Sequence, residues 1–206
     1  MIELYTWSTP NGRKVSIMLE ECGLPYNVHK INIGTNTEQF APEYLKINPN
    51  GKIPSIVDPE GPDGKPIAMM ESGAILIYLA GKTGKFLPKS VRGKYEALQW
   101  LMFQMGGVGP MFGQAHHFMR AKKDEVPYGT ERYGNEAKRL YGVMDRHLSS
   151  TRFFAKEYSI ADMAIYPWVA RHEWHRVDLG AFSNVRRWYD AVGSRAAVVK
   201  GMAVPA

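Results

Sequence analysis

The chain has 206 residues, room for one or two domains, and 45% of them are hydrophobic, which excludes a largely disordered chain. Its formal net charge is +6, but basic residues are scattered from Arg13 to Lys200, with isolated doublets at Arg13-Lys14, Lys122-Lys123, Lys138-Arg139 and Arg186-Arg187 and acids between them, so a solvated basic surface is expected rather than a nucleic-acid partner. No stretch approaches the ~20 apolar residues of a membrane span, the opening MIELYTWSTP lacks the pattern of a signal peptide, and the lone cysteine, Cys22, can form neither an internal disulfide nor a multi-cysteine metal site. A reducing, cytoplasmic setting with no membrane contact is expected.

Ile2 to Thr6 reads as a strand rich in β-favouring residues. Thr9-Pro10 then opens a helix, since threonine is a good N-cap and proline suits the first helical position. Val15, Met18, Leu19 and Cys22 fall at i, i+3, i+4 and i+7 on one apolar stripe, and Gly23 ends the helix. Asn27 to Ile33 is a second strand, Gln39 to Ile47 a short helix, and Asn48-Pro49-Asn50-Gly51 a turn. Ile53 to Val57 is a third strand and, past a polar loop, Ile67 to Met70 a fourth. Glu71-Ser72-Gly73 opens a helix running from Ala74 to about Lys82, with Ser72 as its cap. The order is β-α-β-α-β-β-α.

After the linker-like Thr83 to Pro88 everything reads as helical: Tyr95 to Met119, Arg132 to Leu148, Ile160 to Trp174 and Val185 to Val192. The first of these meets Gly106-Gly107-Val108-Gly109-Pro110, where Pro110 has no N–H and crowds the Gly106 carbonyl, so a bend is expected. Ser159-Ile160-Ala161-Asp162 has the form of a capping box. The expected division is an α/β domain over 1–83, a linker over 84–88 and an all-α domain over 89–206.

Three motifs could carry chemistry. In Trp7-Ser8-Thr9-Pro10-Asn11-Gly12 no cysteine stands where a thioredoxin-type protein would carry C-x-x-C. What is left is a helix start with two hydroxyls and an amide, which favours an anion such as a thiolate. In Asn50-Gly51-Lys52-Ile53-Pro54 a proline at a strand start leaves its neighbour's backbone groups free. If the Ile53–Pro54 bond is cis, Ile53 can pair with an extended peptide; if trans, the proline only limits an edge strand. In Glu71-Ser72-Gly73 a hydroxyl and the first free N–H groups suit a carboxylate and Glu71 suits an ammonium, the two ends of an α-amino acid. The plainer reading is an ordinary cap. Cys22 is expected buried and inert, Tyr5 a packing residue, Trp168, Trp174 and Trp188 helical core, and Met102, Met105 and Met111 core filling. His116 and His117 point about 100° apart on a helix and share no metal.

Taken in order, the Asn-Gly-Lys-Ile-Pro turn, the Glu-Ser helix start, the linker and the Ser-Ile-Ala-Asp box resemble those of cytosolic glutathione transferases, over about residues 1 to 200. Thr9-Pro10-Asn11-Gly12, Gly106 to Pro110, Gln114 with His116-His117, and Glu131-Arg132-Tyr133 are similar to the bacterial Nu-type members, which resemble disulfide-bond reductases as well as transferases. The resemblance implies a thioredoxin-like first domain, an all-α second domain, a homodimer, and glutathione as substrate or cosubstrate with no metal. It implies that Glu71 and Ser72 hold the γ-glutamyl end, that Ile53 before a cis Pro54 pairs with the cysteinyl backbone, and that Lys52 and Gln39 approach the glycyl end. Thr9 and Asn11 would face the sulfur as the catalytic residues, and Arg132 would reach towards a carboxylate. The chain departs from members with a catalytic Tyr or Ser near the start, and Ser8 stays a rival to Thr9. The expected activity is that of an enzyme activating the glutathione thiolate to reduce small disulfides, with conjugation to an electrophile and peroxide reduction open to the same thiolate. The alternative is a non-catalytic regulator or partner-binding protein of this fold.

Overall fold

The structure, a computed structural model, describes residues 1–122 and 124–205; Lys123 of the second basic doublet and the last residue of the expected helical domain, Ala206, lie outside them. Two compact units are present: Met1–Lys85 together with the segment from Arg195 onward, and Phe86–Ser194.

The first unit is built on a four-stranded sheet of order β2-β1-β3-β4. Strand β1, Ile2–Thr6, alternates buried and half-buried residues, so Leu4 points into the core. Helix α1, Pro10–Cys22, follows with Thr9 as N-cap and Gly23 as the left-handed residue after its end (φ 68°). Its expected stripe of Val15, Met18, Leu19 and Cys22 is buried, but so are Lys14, Ser16 and Ile17, because the helix is covered on more than one side. Strand β2, Tyr26–Lys30, pairs parallel to β1 and stops three residues short of the expected Ile33. The expected helix over 39–47 splits into a 3₁₀ turn, Glu38–Phe40, and α2, Pro42–Ile47. Strand β3 is Ser55–Asp58 and β4 is Ile67–Met70, each antiparallel to its neighbour. Helix α3 is Ser72–Thr83, closed by Gly84 (φ 67°). The expected third strand starts two residues late because Ile53 and Pro54 precede the ladder.

In the second unit α4, Val91–Phe103, runs through a π turn at Gln104–Val108 into α5, Gly109–His116, and a second π turn at His117–Ala121. Around Pro110 the chain stays helical. The Gly109 N–H bonds the Gln104 carbonyl five residues back, the wider turn by which a helix absorbs an irregularity in its ladder. Helix α6 is Pro127–Leu148, α7 is Ile160–Val169 and α8 is Ser183–Gly193. The expected continuation of α7 to Trp174 breaks after Val169, and a separate 3₁₀ turn spans His172–His175. Helix α9, Ala196–Met202, has no counterpart in the sequence reading, which grouped it with residues 89–206; it packs on α1 of the first unit. There Ser16 Oγ donates to the Gly201 carbonyl at 2.6 Å, and a Cβ on Gly201 would lie 2.5 Å from Ile17 Cα. Arg195 grips Glu21 with two bonds of 2.6 and 2.8 Å.

All ten residues of α7 are buried, so its start needs internal partners. The capping box forms, and Asp162 does more than cap. Its buried carboxylate accepts from Ser159 N at 2.9 Å, Ser159 Oγ at 3.1 Å, Phe154 N at 3.1 Å and Trp188 Nε1 at 2.8 Å. Burial nevertheless pushes the carboxyl up to about 6 against these donors. Replacing Asp162 by Ala strands three buried N–H groups at once, and each such loss costs ~1–3 kcal/mol. Asp162→Ala is expected to lower unfolding stability by about 3 kcal/mol or more, read from the urea midpoint; a loss below about 1 kcal/mol would show that the box is not a structural hub.

Candidate active site

The site is assembled by strand register. Tyr5, one residue before the end of β1 at Thr6, lies opposite Ser55 at the start of β3, and Ser55 lies opposite Met70 at the end of β4. The residues that follow β1, precede β3 and follow β4 therefore leave the sheet on one edge: Trp7 to Thr9, Ile53 with Pro54, and Glu71 with Ser72. Both α1 and α3 begin there, so the free N–H groups of two helix starts face one edge of the sheet.

At the first junction the Thr9 hydroxyl accepts from Gly12 N at 3.2 Å, and its carbonyl accepts from Arg13 N at 3.1 Å. The cap uses the hydroxyl oxygen and leaves the hydroxyl proton to donate. The turn is held tight by Gly12, where a Cβ would sit 2.4 Å from Thr6 Oγ1 and 2.5 Å from the Trp7 carbonyl. Asn11 is half-buried in the first turn of α1. Ser8 is exposed and accepts from Arg13 Nη2 at 3.1 Å, so its oxygen is occupied by a guanidinium.

At the second junction the Ile53–Pro54 bond is cis. The turn before it hangs on Asn48, a buried residue the sequence reading noticed only as part of a turn cluster. Asn48 Oδ1 accepts from Asn50 N at 3.0 Å, and Asn48 Nδ2 donates to the Lys52 carbonyl at 2.7 Å and to Ser55 Oγ at 3.0 Å. Tyr44 Oη also donates to the Lys52 carbonyl. The backbone of Lys52 is thus fixed while its side chain is exposed. Gln39 is buried beside this turn: a Cβ on Gly51 would lie 3.3 Å from the Gln39 carbonyl, and Gln39 Oε1 has no hydrogen-bond partner. An orphaned buried amide oxygen is costly and marks a place where a ligand or water would be welcome.

At the third junction the expectation that Ser72 caps α3 is corrected. Ser72 is the first helical residue, and no side-chain bond closes the helix start. The cap position belongs to Glu71, exposed and held at φ 66°, ψ 106°, a conformation that side-chain-bearing residues seldom adopt. Ser72 Oγ instead accepts from Lys14 Nζ at 3.2 Å. Lys14 is 1% exposed, a correction to the solvated surface expected of the Arg13-Lys14 doublet. Its spacing carried the signal: Lys14 stands four residues before Met18, on the edge of the apolar stripe. Burial pushes its ammonium down to about 7, while the charge of Glu71 works the other way.

Arg132 stands in the second unit, exposed on α6, where it lines a cavity of about 510 Å³ with Met111, Tyr133 and Arg139. The other eight expected residues all belong to the first unit. Among those set aside, Cys22 is buried, bonds Thr83 Oγ1 and has its thiol raised by burial. Tyr5 stacks on His29 with centroids 4.6 Å apart. Trp168 and Trp188 are core, but Trp174 is half-buried between Arg120 and Arg171, at 3.5 and 4.2 Å from its ring. Met102 is exposed and Met105 and Met111 half-buried, so none is core filling. His116 stacks on His175, and burial drives it down to about 4, so it stays neutral.

The sequence profile of the glutathione S-transferase N-terminal domain matches residues 9–82. The disulfide-bond oxidoreductase YfcG of Escherichia coli is 47% identical over 199 residues, covering 96% of this chain and 92% of that one. A second Escherichia coli disulfide-bond oxidoreductase, YghU, is 39% identical across 98% of this chain and 74% of its own. Among solved structures, a glutathione transferase from Pseudomonas putida with one glutathione disulfide bound per subunit superposes with a TM-score of 0.95 at 48% identity, covering 100% of this chain and 92% of that one. One from Burkholderia graminis with two glutathione molecules per subunit gives 0.93 at 48% identity, covering 99% and 88%. With identity of this order across nearly the full length of both chains, the chain belongs to the glutathione transferase family of enzymes.

Proposed function

We propose that this chain binds glutathione along the edge formed by the three junctions and uses its thiolate to reduce small disulfides. The observation that carries the reading is the shared edge itself, with Thr9 capping α1 there and Ile53–Pro54 between two helix starts. Glu71 and Ser72 take the ammonium and carboxylate of the γ-glutamyl end, Ile53 pairs with the cysteinyl backbone, and Lys52 and Gln39 meet the glycyl carboxylate. Arg132 serves a further carboxylate. That two relatives are named disulfide-bond oxidoreductases favours exchange over conjugation or peroxide reduction. Family membership also motivates a cytoplasmic homodimer, and light scattering at twice the chain mass would support the dimer.

In the proposed reaction the Thr9 O–H donates to the glutathione sulfur, aided by the start of α1. A thiol of pKa ≈ 8.5 is only a few per cent thiolate at neutral pH. Lowering it by ~2 units needs roughly 2.7 kcal/mol, within reach of a helix start plus a charge-assisted hydrogen bond. The thiolate attacks one sulfur of the disulfide, a mixed disulfide with glutathione forms, and the other sulfur leaves as a thiolate that takes a proton from water. A second glutathione thiolate then attacks the glutathionyl sulfur, releasing glutathione disulfide and the second thiol. Two glutathiones are oxidised for each disulfide reduced. No protein sulfur enters, in keeping with the burial of Cys22.

Two outcomes check this. Thr9→Ala is expected to cut disulfide turnover by ~10–100-fold while glutathione affinity, measured by calorimetry, stays within about 3-fold; Thr9→Ser, which keeps cap and donor, is expected to retain most activity. Absence of glutathione binding by the unmodified chain would move the regulator reading to first place. Glu71→Gly relieves a left-handed residue and removes the carboxylate, so it is expected to raise stability by up to ~1 kcal/mol in a melting experiment while weakening glutathione binding at least 10-fold. Unchanged binding would remove Glu71 from the site.

A further inference from the structure

Helix α5 runs into the π turn His117–Ala121, a wider turn of the kind found frequently at functional sites. Beside it lies a cavity of about 510 Å³, wholly within the second unit, walled by Gly113, His116, His117, Arg120, Ala121 and Trp174. Its volume falls in the range of small-ligand pockets, ~300–1,000 Å³. Among the described residues no acid stands on its wall. Two of the walls are rings held by packing. His116 stacks on His175 with centroids 4.4 Å apart and meets the Trp174 ring at 5.0 Å. Burial, helped by the charges of Arg171 and Arg120, keeps the His116 imidazole neutral, so it adds a flat surface and no second cation.

The charge on the wall is that of Arg120, whose Cζ lies 3.5 Å from the centre of the Trp174 ring. So close an approach needs the guanidinium roughly parallel to the ring, since an edge-on group would drive a nitrogen into it. The indole then strips water from one face, while the N–H groups point outward around the rim. Arg139, on α6, spends its fork on Glu136 with bonds of 2.7 and 2.8 Å. Among the described residues Arg120 has no such carboxylate. The nearby acid Asp124 is claimed by Arg176 at 2.6 Å, and Arg176 also donates to the Met119 carbonyl at 3.2 Å. These two bonds tie the π turn to the segment after Trp174, so the fold itself sets the width of the cavity. We infer that this cavity binds a planar aromatic anion, an aryl carboxylate or sulfonate, its ring lying among His116, His117 and Trp174 and its charge met by the N–H rim of Arg120. The inference stands apart from the glutathione reading, because glutathione brings no ring to these walls.

The experiment titrates naphthalene-2-carboxylate and its neutral amide, by calorimetry, into the full chain, Arg120→Gln and Trp174→Leu. The unmodified chain is expected to bind the carboxylate about 10-fold or more tighter than the amide, the order of one charge-assisted hydrogen bond. Arg120→Gln is expected to remove that preference, weakening the carboxylate about 10-fold and leaving the amide within about 3-fold. Trp174→Leu should weaken both ligands, since both lose the ring. If Trp174→Leu does not fold, Arg120→Gln, a change at an exposed side chain, carries the comparison alone. Saturating glutathione should leave the carboxylate affinity within about 3-fold. No binding of the carboxylate by the unmodified chain, equal losses of both ligands in Arg120→Gln, or displacement of the carboxylate by glutathione would each overturn the inference. Whether glutathione itself binds is measured in its own titration, so failure of the glutathione reading is seen separately.

Discussion

Ser55 is paired on both sides, with Tyr5 across one ladder and Met70 across the other, and every feature of the candidate site follows from that register. Strand side chains alternate with period two, so a slip of one residue would turn Leu4 and Ile56 out of the core. The same slip would carry Pro54 or Glu71 out of line with Thr9. The hydrophobic core therefore selects the one alignment in which both helix starts and the cis proline share an edge. Core packing and ligand geometry are fixed by a single choice.

The edge is then stiffened by polar groups that spend their hydrogen bonds inward. Asn48 closes the turn before Pro54 with bonds to Asn50, Lys52 and Ser55, and Gly12 lets α1 start against the carbonyl of Trp7. Glu71 shows the opposite pattern: it is exposed and held at positive φ with no side-chain capping bond. Side-chain-bearing residues seldom adopt that backbone conformation, and at Glu71 no side-chain capping bond offsets its cost. Asn48 and Glu71 flank the same edge, one satisfied within the fold and the other facing outward.

The elements were largely legible because their signals are local. Thr9-Pro10 opens α1 and Gly23 closes it, the Ser-Ile-Ala-Asp box starts α7, and β1 and β4 keep their expected bounds. What sequence could not supply is tertiary. The short α9 carries little periodic signal, and its place on α1 is set by the close approach of Gly201 to Ile17. The π turn before Pro110 is a response of hydrogen-bond register, which residue spacing does not encode. Ser72 reads as a cap by type, yet its oxygen is claimed by Lys14, 58 residues earlier. Lys14 is hidden for a related reason, since a charged residue in a doublet points by type to the surface. The approach of β4–α3 to α1 was needed to see it buried.

The placement of the only cysteine bears on how such a protein can do disulfide chemistry. Cys22 is buried beside Thr83, and burial raises its thiol, so it is both inaccessible and poorly ionised. A thioredoxin-like sheet without C-x-x-C has lost the resolving sulfur that lets a protein store two electrons. On the proposed reading the ligand brings the sulfur and the protein brings only a field: a helix start, one hydroxyl proton and a charge-paired cradle that holds the tripeptide in one direction. On that reading the cap position of the first turn calls for a hydroxyl, as Thr9 supplies, rather than a carboxylate, although Asp alone would cap as well. A carboxylate there would repel a thiolate, whereas a hydroxyl can cap with its oxygen and donate with its proton at once.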